Sequence, residues 1–195
     1  TVDGGTGDDT LLGGDGNDRL LGGDGNDFID GNRGNDVILL GAGDDVFQWD
    51  PGDGSDTVEG GDGHDTMVFN GANINENFDI AANGQRVRFS RDVANITMDL
   101  NDVEAITVNA LGGADTVTVH DLTGTDIATV NVDLGSQPGT GTGDGQPDSV
   151  IVEGTSGDDV ITTSGDVAGV VVAGLAAQVN IKGAEVANDR LTINA

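Results

Sequence analysis

The apolar residues of the first third of the chain fall on a nine-residue beat. From Gly4 the sequence divides into GGTGDDTLL, GGDGNDRLL, GGDGNDFID, GNRGNDVIL, LGAGDDVFQ, PGDGSDTVE and GGDGHDTMV, with Trp49 and Asp50 inserted before the sixth block. The eighth position is always apolar: Leu11, Leu20, Ile29, Ile38, Phe47, Val58 and Met67. The fourth is always glycine (Gly7, Gly16, Gly25, Gly34, Gly43, Gly54, Gly63), and the sixth is always aspartate (Asp9, Asp18, Asp27, Asp36, Asp45, Asp56, Asp65). A period this short predicts one turn and one short strand per block. Glycine supplies the positive φ of a tight turn. The eighth residue points inward from its strand while its neighbours point out. Two blocks then close one coil of a flattened solenoid, and each strand stacks on the strand two blocks later.

After residue 68 the nonapeptide fades, but apolar pairs two apart continue. They are Phe78/Ile80, Val87/Phe89, Ile96/Met98, Ile106/Val108, Val117/Val119, Val130/Val132, Val150/Val152, Val170/Val172, Val179/Ile181 and Leu191/Ile193. This is the alternation of half-buried strands, and no capped helical period interrupts it. DTMVFNG (65–71) returns as DSVIVEG (148–154), and the same offset of 83 aligns Val87/Phe89 with Val170/Val172. The expected organisation is a regular array over 1–68 and a degenerate solenoid extension over 69–195. That extension holds a duplication of about 65–110 and 148–195, with GSQPGTGTGDGQP (135–147) as a loop between the copies. The residues before Gly4 fit the tail of an earlier block, and the second copy stops mid-pattern at Ala195. The array is therefore expected to extend in both directions.

Charge changes the picture. The chain carries 35 acidic and 7 basic side chains, a net charge of -28. Nucleic acid and anionic membrane would repel it; cations are the expected partners. Stacking two-block coils puts Asp9 over Asp27, Asp18 over Asp36, Asp27 over Asp45, Asp36 over Asp56 and Asp45 over Asp65. Carboxylates about 5 Å apart repel by roughly 3 kcal/mol at an effective dielectric of 20. Such a ladder calls for a cation between turns. Ca²⁺ suits a hard, oxygen-only donor set of carboxylates and turn carbonyls in irregular geometry, whereas Mg²⁺ demands stricter octahedra. The absence of cysteine and the presence of only two histidines argue against transition metals.

These blocks resemble the RTX (repeats-in-toxin) nonapeptide family of bacteria, whose pattern is G-G-x-G-x-D-x-U-x with U apolar. The resemblance covers 1–68, with Asn32, Leu40 and Pro51 departing from the glycine pattern. It implies an all-β, right-handed parallel β-roll with Ca²⁺ between turns, in a protein exported by type I secretion. The metal-binding residues it implies are Asp9, Asp18, Asp27, Asp36, Asp45, Asp56 and Asp65. They come with the turn glycines Gly5, Gly7, Gly14, Gly16, Gly23, Gly25, Gly34, Gly43, Gly54 and Gly63. Degenerate turns at GTSGDDVIT (154–162) and ALGGADTVT (110–118) add Asp159, the stronger case, and Asp115. The two-residue insertion is expected to loosen the pairs it separates.

Other chemistry finds little support. His64 and His120 read as solvent-facing turn residues rather than catalytic bases. Seven equivalent aspartates are unlike the single carboxylate pair of a glycosidase. No Ser/His/Asp cluster is suggested, so the chain is not expected to be an enzyme; a larger exoenzyme or toxin as its parent stays open. Arg86, Arg88 and Arg91 form the only basic cluster, and their counterparts in the second copy are Gly169, Val171 and Gly174. They read as dispensable to the fold, either pairing with the surplus acid or forming a local contact site. Trp49 is expected to pack at the insertion, and Thr116–Thr118 is too short a tract for ice binding. The expectation is a monomeric, extracellular calcium-dependent folding module. The alternative is a rigid segment of a cell-surface adhesin or matrix protein, to be told apart by the flanking sequence.

Overall fold

The computed structural model describes residues 1–195 as two stacked sheets of ten and nine strands, with a single 3-10 turn at Val93–Asn95 and no α-helix. The regular array gives β1 (Val2–Thr6), β2 (Thr10–Asp15), β3 (Arg19–Asp24), β4 (Phe28–Arg33), β5 (Val37–Ala42), β6 (Val46–Trp49), β7 (Thr57–Asp62) and β8 (Thr66–Asn70). Odd-numbered strands join one sheet and even-numbered strands the other, all parallel. This is a parallel β-roll. Leu20 pairs in register with Ile38, and Leu11 with Ile29, 18 residues on. Across the insertion Ile38 meets Val58 and Phe47 meets Met67, so two extra residues leave the register intact. Trp49 is buried there and donates its indole N–H to the Gly54 carbonyl at 2.8 Å.

The extension comprises β9 (Asn77–Asn83), β10 (Arg86–Arg91), β11 (Ile96–Asn101), β12 (Ala105–Asn109), β13 (Thr116–Val119), β14 (Thr129–Asp133), β15 (Ser149–Glu153), β16 (Thr162–Asp166), β17 (Gly169–Ala173), β18 (Gln178–Lys182) and β19 (Arg190–Asn194). It does not simply add coils. After β8 the chain advances to β9, returns antiparallel through β10 to β11, and only then lies parallel to β7. The second copy repeats the manoeuvre: β16, β17 and β18 form an antiparallel meander, and β18 lies parallel to β14. The first meander sits in the sheet of β7 and the second in the opposite sheet. The two copies are thus related by half a coil. Two-residue connections, Gly84-Gln85 and Val167-Ala168, make the antiparallel returns possible, because parallel neighbours need a longer crossover.

The core is one continuous apolar cluster from Leu11 to Ile181. It is a thin column in the regular array and thickens beyond it. Trp49 stacks on Phe69 with centroids 4.0 Å apart, and Phe69 packs against Phe78 and Phe89 at 5.9 and 4.5 Å. Residues 135–147 contain no strand, only an isolated bridge from Gly135 to Gly143.

Two expectations about charged residues need correction. The three arginines of β10 do not form one patch. Arg86 pairs with Glu59 and Asp99, each at 2.7 Å, and Arg88 reaches Asp79 at 3.4 Å on the exposed face. Arg91 turns inward, is buried, and pairs with Glu76. It is part of the fold. Gly174 needs no such charge because Asp159, the second-copy acid, is half-buried and bonds to Thr155 of its own turn. His120 is likewise not a free turn residue. Its Nε2 meets Asp79 at 2.7 Å and its Nδ1 meets Glu153 at 2.6 Å, tying β9, β13 and β15 together. Partial burial works against the charged ring, but the two carboxylates outweigh it and hold the imidazole pKa above its usual value.

Candidate metal centre

The sixth-position aspartates build two hydrogen-bonded ladders along the edges of the roll. In each rung a backbone N–H donates to Oδ1 of the aspartate one coil later. The rungs are Asp9 to Asp27 (2.8 Å), Asp18 to Asp36 (2.7 Å), Asp27 to Asp45 (2.6 Å), Asp36 to Asp56 (2.8 Å) and Asp45 to Asp65 (3.0 Å). The insertion therefore does not loosen the rungs of Asp56 and Asp65. Fifth-position side chains run a parallel ladder outside, with Asn26 N–H on Asp8, Asp44 N–H on Asn26 and His64 N–H on Asp44.

One carboxylate oxygen is thus committed to the neighbouring turn. The other is not. Oδ2 of Asp9, Asp27, Asp36, Asp45 and Asp65 is buried with no hydrogen-bond partner. An ionised oxygen in that position costs several kcal/mol unless a cation meets it. Facing these atoms, except in the block of Asp45, which opens on Leu40, are first-position glycines: a Cβ on Gly4 would lie 2.9 Å from Asp9 Oδ2, and one on Gly60 2.6 Å from Asp65 Oδ2. Second- and fourth-position glycines take positive φ, from +97° at Gly14 to +144° at Gly34, and Asn32 does the same at +57°. Gly54, next to the insertion, is the fourth-position exception. None of the turn-to-turn backbone bonds ends on the carbonyls of Gly7, Gly16, Gly25, Gly34 or Gly43. The turns of Asp9, Asp27, Asp36 and Asp45 therefore each offer a free carboxylate oxygen and a free carbonyl oxygen.

No three Asp, Glu or His side chains converge on one point as a ready-made metal group. The donors are carboxylates in ones and twos, supplemented by backbone carbonyls from adjacent turns. That oxygen-only, charge-poor and irregular set fits Ca²⁺. Bound there, Ca²⁺ would neutralise the stacked carboxylates and fix the turns.

The ladders continue where the nonapeptide pattern does not. Asp65 N–H donates to Glu104 at 2.7 Å. A further ladder runs from Glu76 to Asp115 (2.8 Å), Asp115 to Asp148 (2.8 Å) and Asp148 to Asp189 (3.0 Å). Asp115 is buried within it, whereas Asp159 lies outside any ladder. Glu76, Glu104, Asp148 and Asp189 were not among the residues expected from sequence. Their signal is an acid two residues before an inward apolar residue: Phe78, Ile106, Val150 and Leu191. Beyond Glu104 that edge carries Ala128 and Ala177, stacked through backbone bonds alone.

Burial raises the pKa of these carboxyls, against the pull of their backbone bonds. Asp36 and Asp45 shift upward, Asp65 and Asp148 rise to about 6, and Asp56 and Asp115 to about 7. The folded, metal-free state then holds protons that the unfolded chain releases near pH 4. The resulting stability is full below that value and is lost as pH rises through 6 to 7. In chelator, the thermal midpoint is expected to be higher at pH 5 than at pH 7.5. A metal-free protein more stable at pH 7.5 would contradict this reading of the ladders.

The family model of the repeats agrees with this geometry. The RTX calcium-binding nonapeptide repeat (4 copies) matches residues 1–29, 12–47 and 52–73. No curated protein matches the sequence. Among solved structures, the crystal structure of extracellular lipase LipA from Serratia marcescens is similar at 16% identity and a TM-score of 0.23. That match covers 92% of this chain and 38% of the lipase chain. No helix is long and apolar enough to cross a membrane.

Proposed function

We propose, from the membership of residues 1–47 and 52–73 in the RTX calcium-binding nonapeptide repeat family, that this chain is a calcium-dependent folding module of a secreted protein. The repeats bind calcium; the proposal concerns what that binding does. The observation carrying it is the set of buried, partnerless Oδ2 atoms on Asp9, Asp27, Asp36, Asp45 and Asp65. Without a cation these rungs repel one another. With one, each becomes a cross-link between coils.

Extracellular calcium modules have dissociation constants of about 10⁻⁴–10⁻³ M. At millimolar calcium, about one to ten times that constant, each site adds about 0.4–1.4 kcal/mol to folding, and the sites sum. At cytosolic calcium the term vanishes and the coils before the aromatic cluster are left marginally stable and open readily. An array that opens inside the cell and closes outside is suited to passage through a secretion channel. The module itself does no chemistry in this reading.

Far-UV circular dichroism during a calcium titration tests the proposal. A β-sheet signal growing over micromolar to millimolar calcium and reversed by chelator is expected. The same spectrum in chelator and in millimolar calcium would refute it.

A further inference from the structure

We infer that the acidic seat at Glu76 carries its counter-ion within the chain, as the Arg91 guanidinium, and excludes calcium. The inference rests on the calcium reading of the neighbouring rungs. Glu76 holds the sixth position of the block following the regular array, two residues before the buried Phe78. Its carboxylate takes the seat of the ladder aspartates. Oε2 lies 2.6 Å from where a Cβ on Gly71 would stand, the distance of Asp65 Oδ2 from the same point on Gly60. Its backbone N–H donates onward to Asp115, as a rung should.

The oxygens differ in their partners. Oε2 of Glu76 accepts the Ala72 N–H at 2.7 Å. Oε1 accepts from Nε of Arg91 and also faces its Nη2. Both oxygens are used, whereas Oδ2 of Asp9, Asp27, Asp36, Asp45 and Asp65 has no partner. Glu76 is 0% exposed and Arg91 4%, so the pair is shielded from water. The guanidinium carbon lies 5.3 Å above the Trp49 ring, a cation–π contact. A divalent ion at this seat would find no free carboxylate oxygen and a fixed positive charge beside it.

The chemistry accounts for two departures from the repeat. Glutamate replaces aspartate, and its extra methylene reaches the guanidinium projecting from β10. The arginine comes from the meander, an element the regular coils lack. Trp49 beneath the guanidinium belongs to an aromatic cluster with Phe69, Phe78 and Phe89. Its assembly is therefore independent of calcium, unlike the coils before it.

Trp49 is the only tryptophan and reports on the seat directly. In wild-type protein its emission is expected to stay blue-shifted and protected from iodide quenching in both chelator and millimolar calcium. Arg91→Met leaves Glu76 buried and unpaired; it should expose Trp49 in chelator and restore it in calcium, with a chelator-state midpoint about 10 °C lower. The double variant Glu76→Gln/Arg91→Met removes both charges and should keep Trp49 buried in chelator, even if the single variant does not fold. Exposure of wild-type Trp49 in chelator, retention of burial by Arg91→Met in chelator, or loss of burial in the double variant would each overturn the inference. Circular dichroism on the same samples separates the two ideas. A calcium-independent spectrum strikes the folding proposal, while the Trp49 response bears on Arg91 alone.

Discussion

Asp45→Asn will stabilise the metal-free chain and at the same time weaken its response to calcium. The two effects have opposite signs because the two oxygens of Asp45 do different work. Oδ1 accepts the Asp27 N–H at 2.6 Å, and an asparagine carbonyl can accept the same bond. Oδ2 is buried without a partner between Asp27 and Asp65. Replacing it with an amide removes a negative charge from the middle of a like-charged column. At an effective dielectric of 20, each neighbour about 5 Å away contributes roughly 3 kcal/mol of repulsion, which salt and partial solvation reduce to about 1. The chelator-state thermal midpoint should therefore rise by several degrees. Loss of one anionic ligand should raise the calcium concentration at half-folding by about tenfold or more. Asp45→Ala removes the acceptor as well, and leaving the Asp27 N–H buried and unpaired costs about 1–3 kcal/mol. Asn is thus expected to raise the metal-free midpoint, and Ala to leave it near or below the wild-type value. A fall with both would mean that the carboxylate acts only as a hydrogen-bond acceptor.

Gly34→Ala will destabilise the calcium-loaded roll far more than Gly16→Ala, although both glycines hold the fourth position of their blocks. Their backbones lie at φ +144° and +109°, so an L side chain is strained at each by about 1–3 kcal/mol. They differ in what stands before them. A Cβ on Gly16 meets nothing within 4 Å, whereas one on Gly34 falls on the Gly16 carbonyl group. That carbonyl is backbone and cannot swing aside as a side chain would. Relief requires separating two coils whose strands are held in register by β2 and β4. The added loss at Gly34 should be about 3 kcal/mol or more, visible as a melting temperature about 10 °C below that of Gly16→Ala in saturating calcium. Equal melting temperatures would show that the coils can part at little cost.

The regular array was legible because every coil repeats the same physical solution. Leu20, Ile29 and Ile38 fix strand phase, and the glycines at their fixed spacing mark the turns. The two-block stacking distance then follows, and with it the pairing of Asp9 with Asp27. What the spacing could not show was the division of labour within each carboxylate, because Oδ1 and Oδ2 are identical in a sequence. The meanders were hidden for a different reason. Val87/Phe89 alternates like any half-buried strand, and alternation carries no direction. Only the Asn83-Gly84 pair hinted at a reversal. Glu76 and Arg91 were missed as a pair because they are 15 residues apart and meet only once β10 has folded back. Comparing the arginines with Gly169, Val171 and Gly174 averaged a buried residue with two surface ones.

The half-coil relation between the two copies sets how evenly the two walls of the molecule grow. Each meander inserts two additional strands into one sheet and none into its partner, and at about 4.8 Å per strand that is a lengthening of roughly 10 Å on one side only. Had both meanders entered the same sheet, one wall would outgrow the other and the stack would bow. Because they enter opposite sheets, the walls finish at ten and nine strands. Excising Thr162–Ala173, and with it β16 and β17 at the outer end of their sheet, would leave seven strands facing ten. That wall should end about 10 Å shorter, a loss of length that small-angle scattering would register.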